Sequence, residues 1–264
     1  MPKILINIPD EEKAQEFLQY FVPNLSFIQE VHILENEPEK SVSLEENQEP
    51  SLVQEPLALY NTPKHSYTLE DIQAIAGQFP SDHRWTYTDL QKYFPQNLKI
   101  KVEILNHQLL IMPSPEQLHQ DITFELCAAL KTFVRNNQLG DVIIAPFDVI
   151  LNQGNVVIPD VIFVSVQKKE ILDGKKAKGA PDLVVEVWSP GNKKKERETK
   201  KELYASNGIL EFWEVYAQKA HILVEVLDEN GAYQIFSEAQ EKGAVHSKIL
   251  AGFSIQLEDI FQVK

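Results

Sequence analysis

The order of elements in the sequence predicts an α/β domain with a mixed sheet flanked by helices, preceded by a small βαβ unit and an acidic linker. Three observations carry that expectation. Leu118, Ile122, Leu126, Leu130 and Val134, spaced by four, mark one long amphipathic helix. Three β-branched runs bounded by Gly, Pro and Asp follow it. A charged helix and further strands come next, and helices interspersed with strands in this way pack onto a sheet.

The elements follow in order. Residues 3–8 alternate apolar and polar. Asp10 is placed to cap a helix through residue 20 with Ala14, Phe17, Leu18 and Phe21 on its stripe, and residues 25–34 alternate again. A unit the size of residues 1–34 buries too little surface to stand alone, so a second copy, a protein partner or the main domain is expected to cover it. Residues 35–66 are glutamate-rich, with four prolines and few aromatics, which predicts a solvated linker. From residue 67 to 264 the texture is that of a single domain. Residues 67–79 and 85–93 predict short helices, with Thr86 or Thr88 as caps. Strands at 99–105 and 108–112 should form a hairpin about Asn106-His107. Ser114-Pro115-Glu116-Gln117 reads as a helix start with Ser at the N-cap, Pro at N1 and Gln at N3. Strands are expected at 142–151, 156–164 and 183–188. A helix over 193–206 should stop at Asn207-Gly208, before strands at 210–216, 220–227 and 233–237.

Composition excludes several classes. Hydrophobic residues make up 43% and charged residues 24% of the 264, the proportions of a globular chain. No stretch approaches the roughly 20 apolar residues of a membrane span, and MPKILINIPDEEK lacks the pattern of a signal peptide. The single cysteine, Cys127, excludes a disulfide framework or a Cys-rich zinc site. A cytoplasmic protein is expected. The net charge of −14 is unevenly spread: residues 1–82 hold 15 Asp+Glu against 4 Lys+Arg, and the remainder holds 24 against 21. The main domain is therefore nearly neutral, and the whole-chain charge does not argue against an anionic partner.

Three polar residues sit awkwardly in apolar surroundings. Asp160 follows Pro159 within VVIPDVIFV, Glu186 lies within DLVVEVW, and Lys200 is on the next helix. Period two puts Asp182, Val184, Glu186 and Trp188 on one strand face and Leu183, Val185 and Val187 on the other. A carboxylate on that apolar face must pair, bind a metal or bear a large desolvation cost. An Asp and a Glu from adjacent strands can ligate Mg²⁺, and a nearby lysine can then orient water or neutralise charge at a phosphorus centre. The alternative is a buried Glu–Lys ion pair with Asp160 as a turn residue.

PDVIFV at 159–164, PDLVVEVWSP at 181–190, the Lys200…Tyr204…Gly208-Ile209 spacing and Glu211-Phe212-Trp213 resemble a large bacterial family of endonucleases, the Uma type, placed in the restriction-endonuclease-like PD-(D/E)XK superfamily. Trp85-Thr86-Tyr87-Thr88-Asp89-Leu90, Val102-Glu103-Ile104-Leu105, and Met112-Pro113-Ser114-Pro115 with His119 agree with it. The resemblance covers about residues 83–264. It implies a restriction-endonuclease-like fold, Asp160 and Glu186 as ligands of Mg²⁺ or Mn²⁺, and Lys200 as the catalytic lysine, supplied from the helix because Trp188 stands where the motif would place it. It also implies that His119, Glu103, Lys201 and Glu196 adjoin the site, Glu196 replacing an Asp usual in the family. For His119 the bland alternative is a helix-surface imidazole; for Glu103, a solvent-facing strand carboxylate.

Lys193, Lys194, Lys195 and Arg197 form, with Lys200 and Lys201, the densest basic run. They are candidates for weak phosphate contacts, against the simpler reading of a solvated helix face laced with glutamates. Trp188, Phe212 and Trp213 are expected in the core rather than stacked on bases, and Cys127 as an inert buried thiol. The function expected is Mg²⁺-dependent hydrolysis of DNA phosphodiesters by a homodimer, Lys200 positioning the attacking water. The rival is a non-catalytic binding or regulatory protein on the same fold. A carboxylate-pair glycosidase fits less well, because it gives Lys200 no task.

Overall fold

The computed structural model describes residues 67–95, 98, 100–112 and 114–261, together with the backbone of two short strands, β1 (Ile4–Ile6) and β2 (Val31–Ile33). The chain divides into two compact units, residues 1–53 and 54–264. In the first, β1 and β2 pair in parallel, Ile4 opposite Val31 and Ile6 opposite Ile33. A parallel pair cannot be closed by a tight hairpin and needs a crossover. The helix expected over 10–20 and the linker expected over 35–66 lie outside the described residues.

In the second unit, α1 (Leu69–Ala76) and α2 (Tyr87–Tyr93) both start on a capping box, Thr68 with Asp71 and Thr86 with Asp89. Thr86 is thus the cap, and Thr88 reaches Gln153 instead. The hairpin of β3 (Lys101–Leu105) and β4 (Gln108–Met112) turns on Asn106 and His107 at φ 51° and 65°, the positive values a two-residue type I′ turn requires. Helix α3 (Gln117–Asn136) begins later than its Ser-Pro signal. Its first hydrogen bond runs from Gln120 N–H to Glu116 C=O, and Glu116 at the N-cap is extended, which leaves Ser114 and Pro115 outside the helix.

Two expected strands each prove to be two. The first becomes β5 (Gly140–Ile144) and β6 (Asp148–Asn152); the second becomes β7 (Asn155–Val157) and β8 (Val161–Ser165). The breaks fall at Pro146 and Pro159, which cannot donate ladder hydrogen bonds. At both, the chain changes sheet. A 3₁₀ turn (Val166–Ile171) and β9 (Lys176–Lys178) lead to β10 (Leu183–Trp188), α4 (Lys194–Ser206), β11 (Glu211–Tyr216), β12 (His221–Leu227) and β13 (Tyr233–Gln240). The chain closes with β14 (Ala244–His246), β15 (Ser254–Gln256) and α5 (Leu257–Ile260).

One sheet has the order β13-β12-β11-β10-β8-β5, with β10 and β11 parallel and the other pairs antiparallel. The other runs β4-β3-β7-β6-β9. On one face of the larger sheet, Ile122, Leu126, Leu130 and Val134 of α3 pack with Leu183, Val185 and Val187. Leu118, expected on that stripe, is 39% exposed one turn beyond it. On the opposite face Val184, Trp188 and Phe212 meet Leu203 and Tyr204 of α4 and Val149 and Val157 of the second sheet. A third cluster joins Ile72, Ile75, Trp85 and Phe94 to Val102 and Ile104. Trp188, Phe212 and Trp213 are core, and burial raises the pKa of the Cys127 thiol, keeping it protonated. Among the described residues no helix is long and apolar enough to cross a membrane.

Candidate active site

Alternation along β10 turns Glu186 to the face that α4 covers, in line with Val184 and Trp188. Strand β8 runs antiparallel to β10, with Ile162 opposite Val184 and Val161 opposite Val185. Asp160 comes one residue before β8, beside the Val185–Val187 stretch of β10 that holds Glu186. Pro159 ends β7, so Asp160 sits where the chain returns from the smaller sheet to the larger. Backbone bonds fix it there: its N–H donates to Val185 C=O at 3.1 Å, and its Oδ2 accepts from Val187 N–H at 2.8 Å.

Lys200 comes from the inner face of α4 and is 1% exposed. Its Nζ donates to Glu186 Oε1 at 2.8 Å and to Glu103 Oε1 at 3.0 Å. Glu103 Oε2 is 2.9 Å from the same nitrogen but lacks hydrogen-bonding geometry. Glu103 Oε1 also accepts from Ile158 N–H at 2.7 Å, and the Tyr204 hydroxyl, one helical turn after Lys200, donates to Glu186 Oε1. Burial works against every charge here. For the Lys200 ammonium it is overcome by Glu103 and Glu186, whose charges and hydrogen bonds hold its pKa above the ordinary value. For Glu103 it is overcome by Lys200, Lys101 and the Ile158 N–H, and the carboxyl stays low. For Glu186 burial wins over both lysines, helped by the nearby charges of Asp160 and Glu103, and its pKa is raised.

Asp160 belongs to a second, more open cluster. Lys101 Nζ lies 3.3 Å from its Oδ1 and 3.8 Å from Glu103 Oε1; His119 Nε2 lies 3.2 Å from its Oδ2. Burial would raise the Asp160 pKa, but Lys101, His119 and the Val187 N–H together hold it far below the ordinary carboxylate range. Lys101, His119 and Asp160 line a cavity of about 900 Å³ whose walls include Phe94, Ile100, Phe147, Lys175 and Lys176. Phe124, also on its wall, is 64% exposed. Glu186, Glu103 and Lys200 are not among the lining residues.

The structure therefore brings Asp160, Glu186, Lys200, Glu103 and His119 into two adjoining clusters. The bland expectations for Glu103 and His119 are overturned: Glu103 is fully buried in an ion pair, and the His119 imidazole faces Asp160. Lys201 turns away, to Glu225 at 2.6 Å and Glu214 at 3.3 Å. Glu196 caps its own helix at the Lys193 N–H. Lys193, Lys194 and Lys195 are exposed; Lys194 is paired with Glu198, while Arg197 is held by Asn192 C=O at 2.7 Å and lies over the Tyr216 ring. Sequence reasoning missed Lys101 as a site residue. Its signal was present, since Lys101 and Glu103 are two apart on one strand and so share a face. Tyr204 was noticed only as part of a spacing, not as a partner of Glu186.

Among the described residues no three His, Cys, Asp or Glu side chains gather as a metal-binding group. A divalent ion would rest on Asp160 and Glu186, with water completing its shell. The donor set suits a hard ion that prefers oxygen and retains several waters. Both carboxylates are buried, and the charge of Asp160 helps raise Glu186, a repulsion that a bound cation would relieve. Both hydrogen bonds to Glu186 fall on Oε1; among the described residues none falls on Oε2.

Comparison with known proteins bears on the family and the fold. The family model Uma2, described as "Putative restriction endonuclease", matches residues 86–258, a stretch that contains every residue of both clusters. The chain is also similar in structure to a protein described as "a putative nuclease belonging to DUF820", from Anabaena variabilis. The TM-score is 0.56 at 14% identity, over 67% of this chain and 97% of that one. At that identity the likeness shows the fold, a restriction-endonuclease-like mixed sheet flanked by helices. No curated protein matches the chain.

Proposed function

Because the chain belongs to the Uma2 family, whose model is described as "Putative restriction endonuclease", we propose that it is a metal-dependent endonuclease that hydrolyses DNA phosphodiester bonds. The observation that carries this reading is that Asp160, just before β8, is hydrogen-bonded to Val185 and Val187 on either side of Glu186 in β10, and opens on a cavity that also presents Lys101 and His119. Asp160 and Glu186 hold Mg²⁺ or Mn²⁺. Such an ion, when bound, supplies positive charge against the phosphoryl oxygens and makes a water easier to deprotonate. Lys200, charged and buried, orients the attacking water through Glu186, since its own ammonium is occupied by two carboxylates. Tyr204 holds the same carboxylate from the other side chain of α4 that reaches it. His119 and the Val187 N–H fix the orientation of Asp160. The reading includes a homodimer, because cutting both strands of a duplex commonly takes two sites. It also includes a cytoplasmic setting and a partner-binding role for residues 1–34.

A second reading, a non-catalytic binding protein on this fold, is favoured by one observation: both carboxylates already have a lysine as partner. Supercoiled plasmid incubated with and without Mg²⁺ or Mn²⁺ separates the two. The nuclease reading expects metal-dependent nicking that Glu186→Gln and Lys200→Ala both lose. Lys200→Ala leaves Glu103 and Glu186 buried without their cation, a cost of about 3–5 kcal/mol, so its folding must be confirmed by circular dichroism. Nicking that persists in folded Glu186→Gln overturns the site. No nicking and no metal uptake by the wild type leaves the binding protein.

A further inference from the structure

Two lysines serve this site, and they differ in what they can reach. Lys200 is 1% exposed, with Glu186 Oε1 at 2.8 Å and Glu103 Oε1 at 3.0 Å. It does not line the cavity, so to touch a phosphate oxygen there its ammonium would have to move away from these two carboxylates inside the protein, where an unpaired carboxylate is strongly disfavoured. Lys101 is differently placed. Its side chain is 22% exposed and lines the cavity beside Asp160 and His119. Of the three N–H bonds of its ammonium, one is used among the described residues, on Asp160 Oδ1, at 3.3 Å. That is long for a charge-assisted bond, which typically spans about 2.7–2.9 Å.

The two oxygens of Asp160 are equally unlike. Oδ2 is engaged twice, by Val187 N–H at 2.8 Å and His119 Nε2 at 3.2 Å. Oδ1 is held by Lys101 alone among the described residues. The oxygen best able to accept a metal ion is thus the one Lys101 occupies. We propose that Lys101 is the side chain that contacts the scissile phosphate, and that it and the divalent ion compete for Asp160 Oδ1, so that metal binding turns the Lys101 ammonium toward the substrate. The flexible four-carbon stem allows this swing without movement of β3. This inference rests on the metal-dependent nuclease reading and divides the work of the two lysines: Lys200 acts through Glu186, and Lys101 acts on the phosphate.

The test uses the full chain with Lys101→Met and Lys101→Arg. Mn²⁺ uptake is titrated by electron paramagnetic resonance without nucleic acid. Binding of a short fluorescein-labelled DNA oligonucleotide is then measured against salt in the presence of Ca²⁺. Lys101→Met should bind Mn²⁺ about tenfold more tightly, because the competing charge is gone. Its plot of log affinity against log salt should lose about one unit of slope, while Lys101→Arg keeps the wild-type slope. Unchanged Mn²⁺ affinity together with an unchanged slope in Lys101→Met overturns the proposal. Glu186→Gln tests the underlying reading separately: if it takes up Mn²⁺ as tightly as the wild type, the metal assignment fails whatever Lys101 does. If the wild type takes up no Mn²⁺, the exchange falls with that assignment, and an unchanged slope then removes the phosphate contact as well. Should Lys101→Met not fold, Lys101→Gln is read in the same way.

Discussion

Asp160 shows how one side chain can be built into a fold by its partners. Its folded pKa lies far below the roughly 3.9 of an unfolded aspartate, because Lys101, His119 and the Val187 N–H outweigh its burial. The folded state therefore binds its proton less readily than the unfolded state. The stabilisation is complete above the unfolded value and is lost as pH falls through the folded one. Asp160→Asn, which cannot titrate, should show urea midpoints that fall less steeply than those of the wild type between about pH 5 and pH 2. Equal slopes would mean that Asp160 is not held by these partners. Glu186 runs the other way: its raised value favours the protonated folded state, so stability from that group is present at low pH and lost as pH rises through the folded value.

At the scale of elements, the decisive feature is the pair of sheet changes at Pro146 and Pro159. They place β5 and β8 side by side in one sheet while β6 and β7 pair in the other, and Asp160 stands at the return. The β5–β8 pairing depends on Gly140, which opposes Ser165 at φ 148°. A Cβ there would lie 2.1 Å from the Val164 carbonyl oxygen, a clash with backbone that cannot be relieved by a rotamer change. Gly140→Ala should cost roughly 2–4 kcal/mol, seen as a lower urea midpoint with an unchanged m-value. A midpoint equal to wild type would show that β5 shifts freely.

At the scale of the whole molecule, the acidity of residues 1–82 and the near-neutrality of the remainder divide the chain in charge, and residues 1–53 form a unit of their own. The three core clusters draw on residues 72–261. A chain beginning at residue 67 should therefore melt within about 4 °C of the full chain, the shift that ~1 kcal/mol produces in a domain of this size. Differential scanning calorimetry measures it, and a drop well beyond that would show that the first unit contributes to the stability of the second. If residues 1–34 join two copies, light scattering should find two copies of the full chain in each particle and one copy of the truncated chain.

The sequence by itself determined the elements and the anomalies among them. Glu186 stood out because a carboxylate on an apolar strand face must be compensated, and the Asn106-His107 turn, the Thr86 cap and the stripe from Ile122 to Val134 follow from signals contained within a few residues. What only the tertiary structure decided is which distant residues do the compensating. Lys101 meets Asp160 across 59 positions and Lys200 meets Glu103 across 97. Neither pairing leaves a local trace, and so Glu103 could be read as solvent-facing; the one local sign for Lys101, the strand face it shares with Glu103, does not name Asp160 as its partner. The division of two apparent strands between two sheets was hidden for the same reason. Alternation and β-branching report that a segment is extended, whereas the sheet it joins depends on hydrogen-bond partners that folding brings from elsewhere in the chain.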